Sequence, residues 1–476
     1  MTIFGSARAF TGVAAIVALS AGCNDYLTAD AAIKNPNNPT SATNQQLLTG
    51  VETSLTAVLT GDIARTIALF MNQFAGTDRQ YFSYATYDVG EDFTNGAFQT
   101  IYGGGGVIDL RTIQKSADAS GDSVTAGIAR VLEAVEMGAA ADFWGDVPYS
   151  TAFDPSTKAK LDPQASIYAA VQSLLDRGIR QLQSGAGTGP GAADLYYGGD
   201  RVRWTQAAYT LKARYLLHTA ERQGTAPDGT PAFDPATYQA ALTAAQSGIA
   251  SPANDLRTYQ SSAQTEANLL YQFATVQRFG YASPHKYFVD LMASRSDPRL
   301  TRYFTPATGQ TEVIGATPGN GGPGPTIATF NSTDGIGAAD YRWHVVSYAE
   351  NQLIIAEAQF RLGNSPAALT ALNNARASAE LGGLAGLPAG AAGLQEIMTE
   401  KYIALVQNPE VWNDYKRTCM PPLTPSGNTA MIPSRFLYPD AERNANPENI
   451  PVPGLQPPRN ANDPNPCFNG ARQVTS

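Results

Sequence analysis

Histidine and cysteine are scarce in this 476-residue chain, with three of each. His218, His285 and His344 stand far apart, as do Cys23, Cys419 and Cys467, so no zinc-site spacing exists. Positive charge is also short. The 32 Lys and Arg residues face 41 acids, for a net charge of −9. No basic run could track phosphates, which argues against a nucleic-acid-binding face. No apolar stretch is long enough to span a bilayer, since Ala9 to Leu19 is too short for that. Four consecutive glycines, Gly103 to Gly106, fit neither phosphate-binding glycine spacing and read as a bend or a close helix approach. No cofactor and no metal is expected.

What the chain does hold is core. Hydrophobic residues make up 43% of it, ample for a folded interior, while 44 glycines and 31 prolines imply long loops. Helical spacing recurs along its length. Leu47, Leu48, Val51, Leu55 and Val58 share one face, and Thr40 or Ser41 can cap that helix. Ile128, Val131, Leu132, Val135 and Ala139 share another. That second helix runs into Phe143-Trp144-Gly145-Asp146-Val147-Pro148-Tyr149 and stops, because Gly145 and Asp146 suit a turn and Pro148 disfavours helix before it. Asp162-Pro163 reads as an acidic cap with proline at the first helical position. Ser347 to Leu362, ended by Gly363, and a helix from Ser365 read as a tetratricopeptide-like hairpin.

Residues 1–22 read as a targeting segment, with Arg8 before the apolar run. Ser20-Ala21-Gly22-Cys23 then resembles a bacterial lipobox, although Leu19 lies one position further from the cysteine than usual. Cys23 is the expected lipidation site, and several acyl chains there would anchor the chain stably. Residues 23–41 read as a tether.

Trp144-Gly145-Asp146-Val147-Pro148-Tyr149 resembles the most recognisable segment of the SusD/RagB family of surface lipoproteins. Further matches follow in order: Gly199-Asp200 with Trp204, Asp297-Pro298-Arg299-Leu300, the hairpin from Tyr348, Glu400-Lys401 with Ala404-Leu405, and Glu410-Val411-Trp412-Asn413-Asp414 with Arg417-Thr418. Cys419 stands where many members have glycine. Ile432-Pro433-Ser434-Arg435 and Tyr438-Pro439 complete the series. The resemblance implies an all-α fold of tetratricopeptide-like helix pairs with long irregular loops, a single large domain over 42–476. It also implies a non-enzymatic protein at the outer membrane that captures an oligosaccharide, or a peptide as in some relatives. The implied partner is a SusC-like TonB-dependent transporter.

Ligand residues vary in that family and match no motif here, so the site is read from composition. The segment 77–102 carries Arg79, Tyr81, Tyr84 and Tyr87 without helical period, and Tyr281 sits in the other long irregular region. These tyrosines are either core anchors or a flat ligand platform, and the second reading is the expectation adopted. Cys419 and Cys467 are expected to form a disulfide, being the cysteines left in a compartment where thiols oxidise. A secreted hydrolase is the rival class. Glu350 and Glu357 lie on one helix face, yet no companion acid/base group is visible, so a structural role is expected. Gly121-Asp122-Ser123-Val124 resembles the start of a lipase motif, but Ser123 reads better as a helix cap.

Overall fold

The computed structural model describes residues 42–154, 156–221, 233–427, 429–460, 463, 467–468 and 471–472. The segments read as a targeting peptide and a tether, with Cys23, lie outside the described residues. In the first half run helices α1 (Asn44–Thr60), α2 (Asp62–Phe70), α3 (Arg79–Ala85), α4 (Asn95–Tyr102), α5 (Val107–Ser120) and α6 (Ser123–Trp144). Next come α7 (Gln164–Ser184), α8 (Arg201–Ala220), α9 (Pro235–Ala245), α10 (Lys286–Ser294) and α11 (Arg299–Tyr303). The last are α12 (Tyr348–Arg361), α13 (Ser365–Ser378), α14 (Ala391–Ala404), α15 (Glu410–Thr418) and α16 (Asp440–Ala445). Consecutive helices pack in pairs, notably α5 with α6, α6 with α7, α8 with α9 and α12 with α13. This is the tetratricopeptide-type arrangement, within one domain. Strands are confined to two-stranded antiparallel pairs among the described residues.

Helix α6 is the axis. Every residue from Val124 to Trp144 is buried. Small residues make that possible: a Cβ on Gly127 would stand 3.0 Å from the Gly178 carbonyl oxygen, and one on Gly138 would sit 2.3 Å from the Tyr215 ring. Interiors this dense leave no room for either methyl group. The helix stops at Gly145, whose φ of +83° suits a residue without a side chain. The turn is also the seat of the C-terminal coil. Trp144 is fully buried, the Phe436 amide donates to the Phe143 carbonyl at 2.8 Å, and the Tyr438 hydroxyl donates to the Asp146 carbonyl at 2.6 Å.

Three helix starts differ from the sequence reading. Thr43, not Thr40 or Ser41, caps α1 in a reciprocal box with Gln46. Asp122, not Ser123, caps α6 by accepting from the Thr125 amide. Asp162 does not cap α7. Leu161–Asp162 pairs as a strand with Val147–Pro148, which turns the Asp162 carboxylate back onto the amides of Tyr149 and Ser150 at 2.9 and 2.7 Å. Asp146 instead accepts from the Gln164 amide at 2.8 Å. The segment 77–102, read as irregular, contains α3, a 3₁₀ turn at Glu91–Thr94 and α4. Its apolar face is too short to show a period, and the helices form because they cover the core.

Charges occupy the centre of the molecule. Glu350, fully buried, accepts from Arg214 at 2.6 and 2.5 Å, and Glu357, also fully buried, is held by Arg417 and the Tyr238 hydroxyl. These carboxylates are structural, as expected. Asp142, His218 and Glu410 bring three ligand-type atoms within 4.8 Å of one another. Arg214 and Lys401, each 3.9 Å from Glu410, already supply positive charge there. A proton on His218 completes the balance: Nε2 donates to Glu410 at 2.9 Å while Nδ1 faces Asp142 at 3.1 Å.

Burial disfavours the imidazolium, but Glu410 and Asp142 outweigh it and raise the His218 pKa to about 9. Tyr168 and Tyr215 pack edge-on against the ring and keep water away. A group whose pKa rises on folding stabilises the fold fully below its unfolded value near 6.5, and that contribution fades as pH climbs through 9. The gap corresponds to ~3 kcal/mol. Urea denaturation of the parent is therefore expected to lose about that much more stability between about pH 6 and pH 10 than His218→Gln does. Parallel pH profiles for the two proteins contradict the assignment.

Candidate functional site

Two segments two hundred residues apart build one exposed face. Phe74–Gly76 pairs antiparallel with Ala282–Pro284, matching Phe74 to Pro284 and Gly76 to Ala282. The pairing continues into the loops. The Thr77 amide donates to the Tyr281 carbonyl at 2.9 Å, and its hydroxyl donates to the Gly280 carbonyl at 2.7 Å. Gly76 has to be glycine, since a Cβ there would lie 1.8 Å from the Tyr81 carbonyl oxygen. A third loop closes the arrangement: the Gly319 and Gly322 amides donate to the carbonyls of Gly76 and Thr77, and Asn320 accepts from the Arg79 amide at 3.2 Å.

The five residues expected to bind ligand fall into two groups. Tyr81 is buried, with 3% of its surface exposed, and its ring packs on Phe273 at 4.6 Å between centroids. Its hydroxyl accepts from Arg65 Nε and donates to Asp62, both at 3.1 Å, and burial lifts its pKa to about 12. Tyr87 is half-buried, packs edge-on against Phe70, and accepts from the Ser426 amide at 2.8 Å. Both act as anchors, so the platform reading is corrected for Tyr81 and Tyr87. Arg79, Tyr84 and Tyr281 remain accessible to ligand. Arg79 is exposed, Tyr84 and Tyr281 are half-buried, and burial with nearby Asp62 and Asp92 raises the Tyr84 pKa. Arg79 and Tyr87 also have φ of +47° and +69°, backbone strain of the kind that gathers at functional sites.

Sequence reasoning missed Arg278, Phe279 and Asn320. Phe279 is 68% exposed, the most exposed phenylalanine among the described residues. The Arg278 guanidinium lies 5.6 Å from the Tyr281 ring centroid and that of Arg79 lies 5.7 Å away. The Phe279-Gly280-Tyr281 turn carried the signal, an aromatic pair around a glycine in an irregular region. Phe279 and Gly280 also border a cavity of about 480 Å³ lined by Pro306, Pro323, Pro325 and Phe330. The face therefore offers flat apolar rings, guanidinium donors and an adjoining recess. Such a combination suits a ligand with alternating apolar faces and hydroxyl edges.

A second cavity, about 440 Å³, lies beside α12 and α13 and is lined by Arg257, Arg302, Tyr341 and His344. Its cations are already committed: Arg257 pairs with Asp255 at 3.1 Å and Arg302 with Glu380 at 2.5 Å. Its charges neutralise one another. The aromatic face is the better site.

The molecule is a helical-repeat scaffold that presents aromatic rings at one face. The chain belongs to the SusD-like family, whose model, described as starch-binding and associating with the outer membrane, matches residues 36–439. None of the curated proteins matches the chain. Solved structures do. A SusD/RagB family protein from Bacteroides thetaiotaomicron is 23% identical with a TM-score of 0.69, covering 86% of this chain and 95% of its own. A chitin-binding SusD homologue from Flavobacterium johnsoniae is 16% identical with a TM-score of 0.71, covering 88% and 98%. A further chitin-binding protein is 20% identical with a TM-score of 0.68, covering 86% and 95%. At these identities the likeness concerns the fold.

Proposed function

We propose that the protein is a cell-surface lipoprotein that captures an oligosaccharide on the Arg79, Tyr84, Phe279 and Tyr281 face. It then passes the ligand to a SusC-like TonB-dependent transporter, without chemistry of its own. The observation that carries the reading is the exposed aromatic face assembled from two distant segments. The family's starch-binding description and two chitin-binding structural neighbours support a glycan over a peptide. The carboxylates that could have served a hydrolase, Glu350 and Glu357, are locked onto Arg214 and Arg417 in the core.

Aromatic platforms concentrate binding energy in a few rings. With a glycan array supplying the tightest oligosaccharide, Tyr281→Ala and Phe279→Ala are each expected to weaken binding by ~2 kcal/mol, roughly thirtyfold, while melting like the parent. Tyr81→Ala is the contrast and is expected to melt early. Parent-like affinity in both ring variants removes this face from the function.

No helix among the described residues is long and apolar enough to cross a membrane. Attachment in this reading falls to Cys23, in the Ser-Ala-Gly-Cys context that follows the apolar run. Cys23→Ala is expected to move the protein from the membrane fraction to the soluble one. Full retention in a strain lacking the transporter contradicts the anchor.

A further inference from the structure

We infer that the preferred ligand is an acidic oligosaccharide, its uronate carboxylate or sulfate ester seated between Arg79 and Arg278 at the Tyr281 end of the face. The inference rests on the glycan-binding reading above. Two guanidinium groups stand within 6 Å of one tyrosine ring, at 5.7 and 5.6 Å from its centroid. Like charges are not brought together around one ring without something to gain. Neither is consumed by the protein. Arg278 is exposed and its side chain makes no hydrogen bond or ion pair among the described residues, leaving its planar fork of donors free. Arg79 keeps only a loose approach to Asp78, 3.7 Å from Nε to the carboxylate, with 69% of its side chain exposed.

The arginines of the second cavity show the opposite pattern. Arg257, Arg299 and Arg302 line the second cavity, and each is held by an acid at 3.1 Å or less. Two acids near the aromatic face are also engaged. Asp62 is taken by Arg65 and the Tyr81 hydroxyl, and Asp78 caps the Arg79 amide. Tyr84 feels both signs, since Asp62 and Asp92 raise its pKa while Arg278 lowers it. The Arg278 charge therefore reaches Tyr84 as well as Tyr281. A neutral glycan has no use for two guanidinium groups so placed.

Arginine matches carboxylate and sulfate oxygens two bonds at a time, and a ring beneath it fixes the plane in which it presents them. The chain's net charge of −9 would repel an anion at long range. In physiological salt charges more than ~8 Å apart are largely screened, so the local pair decides.

The test is calorimetric titration of the mature chain with three probes: oligogalacturonate, carrageenan oligosaccharide and malto-oligosaccharide. The first two separate carboxylate from sulfate as the recognised group. At least one acidic probe is expected to bind about tenfold tighter than the neutral one, with affinity falling as salt rises. Arg278→Gln, at an exposed position with no hydrogen bond or ion pair among the described residues, is expected to fold normally and erase that preference. Arg302→Gln, at the second cavity, keeps it. Equal or tighter binding of the neutral probe overturns the inference, as does an acidic preference that survives Arg278→Gln. A chain that binds an acidic peptide and no glycan, or that binds nothing, overturns the glycan reading and this inference together.

Discussion

Arg417→Met is expected to lower folding stability by ~3–5 kcal/mol, because it strands buried carboxylates. The guanidinium is 2% exposed and sits between two acids. It donates to Glu357 Oε2 at 2.6 Å and to Asp414 Oδ1 at 2.5 Å, with a further bond to Glu357 Oε1. Together they tie α12 to α15 across the middle of the domain. Glu357 keeps a bond from the Tyr238 hydroxyl at 3.0 Å, and Asp414 keeps Lys401 at 2.9 Å, so the loss stays within that range. Replacing both partners, in Arg417→Met with Glu357→Met, is expected to recover part of it, since an apolar pair leaves fewer stranded charges. Chemical denaturation of the three proteins checks this. A single variant within about 1 kcal/mol of the parent contradicts the role given to Arg417.

The second large effect concerns the C-terminal coil. The structure joins Cys419, at the end of α15, to Cys467, with Cα atoms 5.5 Å apart and a sequence separation of 48. Closing a loop of that length stabilises by ~4 kcal/mol in the chain-entropy model. The coil has few helices to hold it, yet it delivers Phe436 and Tyr438 onto the Trp144 turn. Opening the bridge in the double variant Cys419→Ala, Cys467→Ala is expected to reduce stability by about that amount and to loosen this coil first. Intact mass before and after alkylation gives the direct check. Two alkylated thiols in native protein contradict the bridge.

The helical scaffold was legible because periodicity, caps and breakers are local. The run into Trp144 and Gly145 could be read directly, and so could the hairpin that turns at Gly363. Asp162 misled because its role is set by a strand partner, Val147–Pro148, that local rules do not see. The binding face was half legible for the same reason. Arg79, Tyr84 and Tyr281 stood out by composition, but nothing local tells Tyr81 from Tyr84. The two separate only once α3 has packed, when Arg65 and Asp62 claim the Tyr81 hydroxyl. Arg278 and Phe279 gain meaning only when Phe74–Gly76 pairs with Ala282–Pro284. The charged core around His218 and Arg417 was invisible, because single charges in a helix normally read as solvent-facing.

The central claim is that one aromatic face holds the ligand, and a crystal structure of the chain with its tightest-binding oligosaccharide tests it most directly. The account predicts sugar rings within ~4 Å of Phe279 and Tyr281, with a polar group reaching Arg79 or Arg278. An oligosaccharide bound instead beside His344 and Arg257, with the Phe279 and Tyr281 rings bare, would contradict it.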